Sequence, residues 1–327
     1  MTTVEDAKAE TKDVYINFLH GKPTEIKLYD NKGFVILKDV MPNSTYSSIH
    51  KDKTTADFAV AEMARVSYGS LDSKTEKEDT PLIEYLMEHW HTSPFEGVKF
   101  KFIIKAPLYV VRQLLRHRTA NVNEYSMRYS APIEDFYFPE IRIQDLVNRQ
   151  GSVKIDTESM SEEKKKEIVE IETRYLKAQE KAVSLLEDVK FLNAKGVANE
   201  VTRSLLPTAE LTQLYFCMDL HNLFHFLRLR MDIHAQKEIR VLADAMFSLI
   251  TPIVPVCCNA FQKFRLSSIS FSREEQLVFP FAWESGEVIT PDKLKNICKV
   301  RGIKFSGRQI NDFLGKCRRM GAKTSWL

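Results

Sequence analysis

A mixed fold of strands and helices is predicted by three stretches of this 327-residue sequence. The first, "VKFKFIIKAP", alternates Val98, Phe100, Phe102 and Ile104 with Lys99, Lys101 and Lys105, the two-residue period of a half-buried strand. The second, "TADFAVAEMARVSYG", spaces Phe58, Ala61, Met63 and Val66 at roughly helical intervals and closes on Gly69, a stop signal. The third runs from Ser159 to Val189 and sets Ile168, Ile171, Tyr175, Ala178, Leu185 and Val189 along one buried helical stripe. A capping box, Ser159 to Glu162, starts this long helix and Gly196 ends it.

The remaining elements follow in order. Residues 1–50 are polar and broken by Gly and Pro, apart from "GFVILKDVMP", a strand entering a turn. Pro107 opens a helix at its tolerated first position, and "PLYVVRQLLRHR" carries Gln113 and Arg116, three apart, on one face. The stretch 209–250 reads as one or two well-formed helices, and the chain from Pro252 onward as less regular. From Lys293 to Lys323 stand ten Lys/Arg and one acid, Asp312, a local charge of +9.

Composition narrows the class. Hydrophobic residues make up 44% and charged residues 28%, ordinary for a soluble globular protein. A net charge of +3 gives no polyelectrolyte character, which disfavours nucleic acid as a partner. Cys217, Cys257, Cys258, Cys298 and Cys317 are odd in number and lack CxxC spacing, so free thiols are expected rather than disulfides or zinc. "MTTVEDAKAETKDVY" has no basic stretch leading into an apolar run, the pattern of a signal peptide. No apolar run approaches the roughly 20 residues that span a bilayer. A cytoplasmic, membrane-free protein is expected.

Three clusters carry candidate chemistry. "RHRTANVNEYSMRYS" gathers Arg116, Arg118 and Arg128 without any Lys. A solvated helix face would interleave Lys and Glu; Arg is used where a planar fork must grip phosphate or carboxylate. Glu124 in their midst reads either as an internal counter-ion or as a site residue, and Arg203 in "TRSLLP" is equally open. Neither a G-x-G-x-x-G turn nor a Walker loop is present, so side chains must hold any nucleotide phosphate. In "HWHTSPFEGV", His91 and Ser93 precede Pro94, which turns the backbone away from helix; alone this reads as a loop with an exposed histidine. In "DLHNLFHFLRLRMDIHAQ", His221 and His225 lie four apart with Arg228 a turn further on. That is the His spacing of a zinc protease helix, but Asn222 stands where the base Glu belongs and no third ligand is apparent. A polar cleft is expected there, with no metal.

Together these segments resemble the flavin-dependent thymidylate synthases. The family signature is RHR, seven residues and Ser, with NE inside the gap and RY after it; here Arg116-His117-Arg118, Asn123-Glu124, Ser126 and Arg128-Tyr129 match in order and spacing. "ARVS" (64–67), "HTSPFE" (91–96), "APLYVVRQ" (106–113), "TRSLLP" (202–207) and "LRLRMDIHAQKEIR" (227–240) are similar to family segments in the same order. The resemblance implies an α+β fold with a central, mostly antiparallel sheet and long packed helices. It implies transfer of a one-carbon unit from 5,10-methylenetetrahydrofolate to C5 of dUMP, reduced through FAD by NADPH to give dTMP. By position, Gln113, Arg116, Glu124, Tyr125, Ser126, Arg128, Arg203 and Arg230 correspond to the dUMP site, with Arg230 as the catalytic arginine beside the uracil. His91, Ser93, Arg116, His117, Arg118, Glu124, Asp219, His221 and His225 correspond to the FAD site.

The resemblance further implies a homotetramer with shared active sites, and no catalytic cysteine. It runs from about residue 35 to 265. On that basis residues 1–34 are an N-terminal extension, 35–270 the catalytic domain with a helical insertion at 145–195, and 271–327 a basic extension of unknown role. Asn121, Thr202 and Asp219 stand where the family commonly has Ser, Ala and Asn. Asn121 and Asp219 motivate an alternative product such as 5-hydroxymethyl-dUMP. The basic tail motivates a nucleic-acid-binding alternative, weaker because it offers only Phe305, Phe313 and Trp326 for stacking.

Overall fold

The structure, a computed structural model, describes residues 24–42, 56–69, 75–145, 151–158, 160–283 and 288–324. The chain divides into two compact units, Met1–Leu266 and Ser267–Leu327.

The larger unit is built on a sheet. β1 (Thr24–Leu28) and β2 (Gly33–Met41) form a hairpin whose turn holds Tyr29, Asp30 and Asn31 in the left-handed region, at φ 55, 56 and 64°. Gly33 is required at its exit, because a Cβ there would meet the Lys105 carbonyl oxygen at 2.4 Å. The sheet therefore begins at Thr24, ahead of the domain boundary at residue 35 expected from the sequence. β3 (Lys99–Pro107) and β4 (Asn121–Glu124) follow, and β5 (Arg142–Gln144) with β6 (Ser152–Lys154) makes a separate hairpin. β7 (Leu211–Asp219) completes the main sheet in the order β1-β2-β3-β7-β4, with every pairing antiparallel. Phe100, Phe102, Ile104 and Phe216 are fully buried in it. Each contributes about 1.5–3 kcal/mol of burial. The α+β class is as expected.

β7 overturns one expectation. The stretch read as helix from residue 209 is a central strand as far as Asp219, because Leu214, Phe216 and Met218 alternate inward against Gln213 and Tyr215. That two-residue period outweighs the helix propensity of Leu, Gln and Met.

The helices of this unit are α1 (Asp57–Val66), α2 (Glu76–Glu88), α3 (Leu108–Leu114), α4 (Glu162–Ala194), α5 (Asn199–Thr202), α6 (Leu220–Arg230), α7 (Lys237–Ile250) and α8 (Pro255–Phe261). On α1 the buried positions are Asp57, Val60, Ala61, Ala64 and Arg65, whereas Met63 and Val66 of the predicted stripe face outward. The Asp57 carboxylate accepts from the Val256 and Cys257 N–H groups at 3.1 and 2.8 Å, satisfying the otherwise unpaired first turn of α8. Pro107 is the N-cap of α3 and the last residue of β3, not the first helical residue, and α3 stops at Leu114, short of Arg116.

The N-cap of α4 is Ser161, whose Oγ accepts from the Lys164 N–H at 3.4 Å; the expected cap at Ser159 lies outside the described residues. Only Leu186 and Val189 of α4 are buried, and Ile168, Tyr175 and Leu185 are half-buried. Ile171 and Ala178 of the predicted stripe are exposed, together with Val169, Leu176, Val183 and Phe191. The chain after Pro252 is more regular than its sequence suggests: α8 leads into a π-helical turn, Gln262–Leu266.

The smaller unit contains α9 (Arg273–Ala282), α10 (Pro291–Val300) and α11 (Gly307–Arg319). They close around their own core of Val278, Ala282, Leu294, Cys298, Ile310, Phe313, Leu314 and Cys317. Phe313 is fully buried and Phe305 packs on that core, so neither is a free stacking surface; Trp326 lies outside the described residues.

Candidate active site

The joint between β7 and α6 places four of the candidate residues, Asp219, His221, His225 and Arg230. Asp219 is at once the last residue of the strand and the N-cap of the helix, its carboxylate accepting from the Asn222 N–H at 2.9 Å and the Asn222 side-chain amide at 2.7 Å. The charge that distinguishes it from the usual Asn is thus held at a helix N-terminus, where it is favoured. Leu220, Leu223, Phe224, Phe226 and Leu227 bury one side of α6. His221, His225 and Arg228 are left to line a cleft on the other.

That cleft, about 60 Å³, also takes His91, Trp90 and Arg265 into its wall. His91 follows α2, its N–H bonded to the Leu86 carbonyl at 3.0 Å. Ser93 begins the 3₁₀ turn Ser93–Gly97 beside it. Trp90 and Arg265 were not anticipated from the sequence. Trp90 sits at φ 63°, a conformation costly for a bulky residue. The Arg265 guanidinium lies 3.5 Å from the centre of its ring and donates to the Met87 carbonyl. Arg265 comes from the π-helical turn, and neither a positive φ nor a π turn has a reliable sequence signal. Burial, and then the charge of nearby Arg228, lower the Arg265 pKa. A cleft lined by Arg228, Arg265 and aromatic side chains, with Arg265 stacked on Trp90, suits an anionic, aromatic ligand. Among the described residues no group of three or more His, Cys, Asp or Glu is placed to hold a metal ion.

Beside the cleft, Arg230 ends α6 and its Nε donates to His117 Nε2 at 3.2 Å. That nitrogen must carry a lone pair, so the ring is neutral with its proton on Nδ1. Burial, Arg230 and His225, in that order, bring the His117 pKa down to about 4. The ring packs edge-on against Phe226, centroids 4.9 Å apart. Burial also lowers the Arg230 pKa. Arg230 is therefore aimed by a neutral imidazole, with no carboxylate within ion-pair distance among the described residues.

The signature segment is solvent-facing. Arg116, Arg118 and Arg203 are exposed and have no ion pair among the described residues. Arg128 pairs with Glu200 at 3.1 Å. Glu124 is not their counter-ion: it ends β4, and its Oε1 accepts from the Thr212 hydroxyl at 2.9 Å. The Tyr125 hydroxyl donates to the Ala131 carbonyl at 2.6 Å, and Ser126 Oγ accepts from the Arg128 N–H at 3.3 Å. Gln113 donates to Gln236 at 2.5 Å, and Gln236 to the buried Glu238 at 2.8 Å. Glu238 in turn accepts from Arg142 of β5 at 3.0 Å. Thr202 donates to Asn193 at 2.6 Å, and Asn121 is exposed at the start of β4.

Cys257, Cys258, Cys298 and Cys317 are buried, and burial raises the pKa of each. Cys217, half-buried on β7, faces Lys101 and Asn121 across the sheet. None of the four buried thiols is set up as a nucleophile.

The family model described as thymidylate synthase complementing protein matches residues 50–256. A flavin-dependent thymidylate synthase of Dictyostelium discoideum is 43% identical over 276 residues, 83% of this chain and 84% of the relative. One from Thermus thermophilus is 42% identical over 256 residues, 77% and 84% of the two chains. The solved structure of a UMP/dUMP methylase, PolB, from Streptomyces cacaoi bound with 5-Br UMP superposes with a TM-score of 0.58 at 28% identity, over 72% of this chain and 96% of that one. With β7, α6 and the signature segment all inside the matched region, the chain belongs to the family of flavin-dependent thymidylate synthases.

Proposed function

We propose that this chain converts dUMP to dTMP, using FAD, with 5,10-methylenetetrahydrofolate as one-carbon donor and NADPH as reductant. The observation that carries the reading is Arg230 held by neutral His117. A guanidinium that keeps its proton stabilises negative charge growing on a uracil ring without exchanging protons with it. Gln113, fixed through Gln236, and Glu124, fixed by Thr212, orient the base and sugar; Arg116, Arg128, Arg203, Tyr125 and Ser126 take the phosphate side. Arg116 also borders the cofactor, with His117, Arg118, Glu124, His91, Ser93, His221 and His225 around it, and Asp219 positions their helix. When bound, the flavin supplies the reducing electrons. A buried, protonated thiol set supports a route without cysteine attack.

The cleft of about 60 Å³ is far smaller than a cofactor site of about 300–1,000 Å³. That, with the exposed apolar residues of α4, supports a homotetramer whose copies complete one another's sites. No helix among the described residues is long and apolar enough to cross a membrane, which accords with a cytoplasmic location. The test is product mass after incubation with dUMP, methylenetetrahydrofolate and NADPH. A 5-hydroxymethyl product, or turnover without flavin, would overturn the reading. The likeness to a UMP/dUMP methylase favours one second reading, that UMP is also accepted, which a competition of UMP against dUMP decides.

A further inference from the structure

The smaller unit differs from the larger in charge as well as fold. Residues 267–327 hold eleven Lys/Arg against six Asp/Glu, whereas residues 1–266 hold 36 against 38. The positive charge is concentrated where α10 meets α11: Lys299, Arg301, Lys304 and Arg308 are all exposed, and no acid occurs from Lys293 to Asn311.

This connection is built, not loose. α10 ends in a Schellman turn: Gly302 at φ 68° donates to the Lys299 carbonyl at 3.2 Å, and Ile303 to the Cys298 carbonyl at 2.8 Å. Ile303 and Phe305 pack on the unit's core, which leaves the intervening Lys304 outside. The Arg301 guanidinium stands 3.3 Å from the centre of the Phe281 ring, which fixes its plane. Lys299, Arg301 and Lys304 meet no carboxylate among the described residues; Arg308 has only a 3.8 Å contact to Asp312. Lys299 also complements the dipole of its own helix, but Lys304 and Arg308 lie at the start of α11, where a helix dipole disfavours cations. Their placement answers to something outside the unit.

We infer that the α10–α11 connection binds the phosphate backbone of a nucleic acid, which gives this enzyme a second ligand. A planar, pre-oriented guanidinium flanked by three cations suits successive phosphates. An anionic bilayer is the poorer match. The apolar stripe of α11, Ile310, Phe313, Leu314 and Cys317, is consumed in the unit's core, and from Lys299 to Arg308 only Val300 is an exposed apolar side chain, too little to hold a bilayer.

The test titrates the full chain into fluorescein-labelled oligonucleotides of about 20 nucleotides, single-stranded and duplex, followed by anisotropy. Four neutralised phosphates predict a slope of log K against log salt of roughly −3.6 on duplex. Affinity then falls roughly a hundred-fold from about 50 to about 200 mM KCl. Lys299→Gln, Arg301→Gln, Lys304→Gln and Arg308→Gln together are expected to abolish binding, with circular dichroism, flavin content and dUMP turnover unchanged. Should the quadruple variant lose helix content, Lys304→Gln with Arg308→Gln is expected to halve the slope. The proposal is overturned if neither oligonucleotide binds at about 50 mM KCl, or if folded variants bind like the parent. It is equally overturned if phosphatidylserine vesicles hold the parent more tightly than both oligonucleotides.

Discussion

The arginines of the scaffold and those of the site live under different rules. Arg65 and Arg142 are nearly out of solvent, and each faces an equally buried carboxylate, Asp79 and Glu238. Arg116, Arg118, Arg203 and Arg230 have no such partner among the described residues, and Arg230 leans instead on an uncharged imidazole. A buried cation without an anion is costly, so the scaffold supplies one. Of the candidate site arginines, Arg128 has a carboxylate partner, Glu200, while the others meet none among the described residues; on the proposed function the ligand's own charge would complete them.

Breaking a scaffold pair should have the largest effect. Asp79→Ala leaves Arg65 buried and unpaired, and a loss of about 3–5 kcal/mol is expected in urea unfolding. A loss under about 1 kcal/mol would remove Arg65 from the scaffold group. Arg230→Lys comes next: the charge stays but the planar fork is lost. Methyl transfer in single turnovers is expected to fall about 10²–10³-fold, while FAD uptake and its reduction by NADPH persist. Equal slowing of flavin reduction would dismiss the uracil-side role. Arg116→Ala should act on binding, weakening dUMP and FAD by about 1.5–3 kcal/mol with little change in melting temperature.

Glu210 sharpens the contrast from the acidic side. It is fully buried, no arginine pairs with it among the described residues, and burial raises its pKa to about 7, slightly offset by the Ile133 backbone N–H. The folded chain therefore keeps a proton that the unfolded chain releases near pH 4.5. Stability from this group is complete below that pH and is lost as pH rises through about 7. Glu210→Gln, neutral throughout, should unfold like the parent at about pH 4 and be more stable by about 3 kcal/mol at about pH 8. An equal effect at both pH values would mean that Glu210 does not titrate there.

Much of this was legible in the sequence. The Lys/Phe alternation of β3 and the RHR segment announce themselves, because one has a strict period and the other a strict spacing. β7 was misread because no Gly, Pro or turn residue separates it from α6: strand becomes helix at Asp219, so two periods run together in one apolar stretch. Trp90 and Arg265 were missed because their meeting depends on a positive φ and a π turn far apart in sequence. The tail reads as an irregular extension of unknown role because its apolar residues are spaced among cations; only the fold reveals that they close a core.

The strand-to-helix joint at Asp219 has a mechanical side. With no loop between them, α6 continues straight out of the sheet, and Arg230 sits at its far end, about 16 Å along the axis. A tilt of about 4° at the root would displace the guanidinium by about 1 Å, enough to cost roughly a hundred-fold in a reaction governed by alignment. That root is clamped by the two hydrogen bonds that Asp219 accepts from Asn222, and the buried Leu220, Leu223, Phe224, Phe226 and Leu227 brace the helix along one side. An Asn at this place can accept the same backbone N–H, so the family's usual residue and this one are two ways to clamp the same beam.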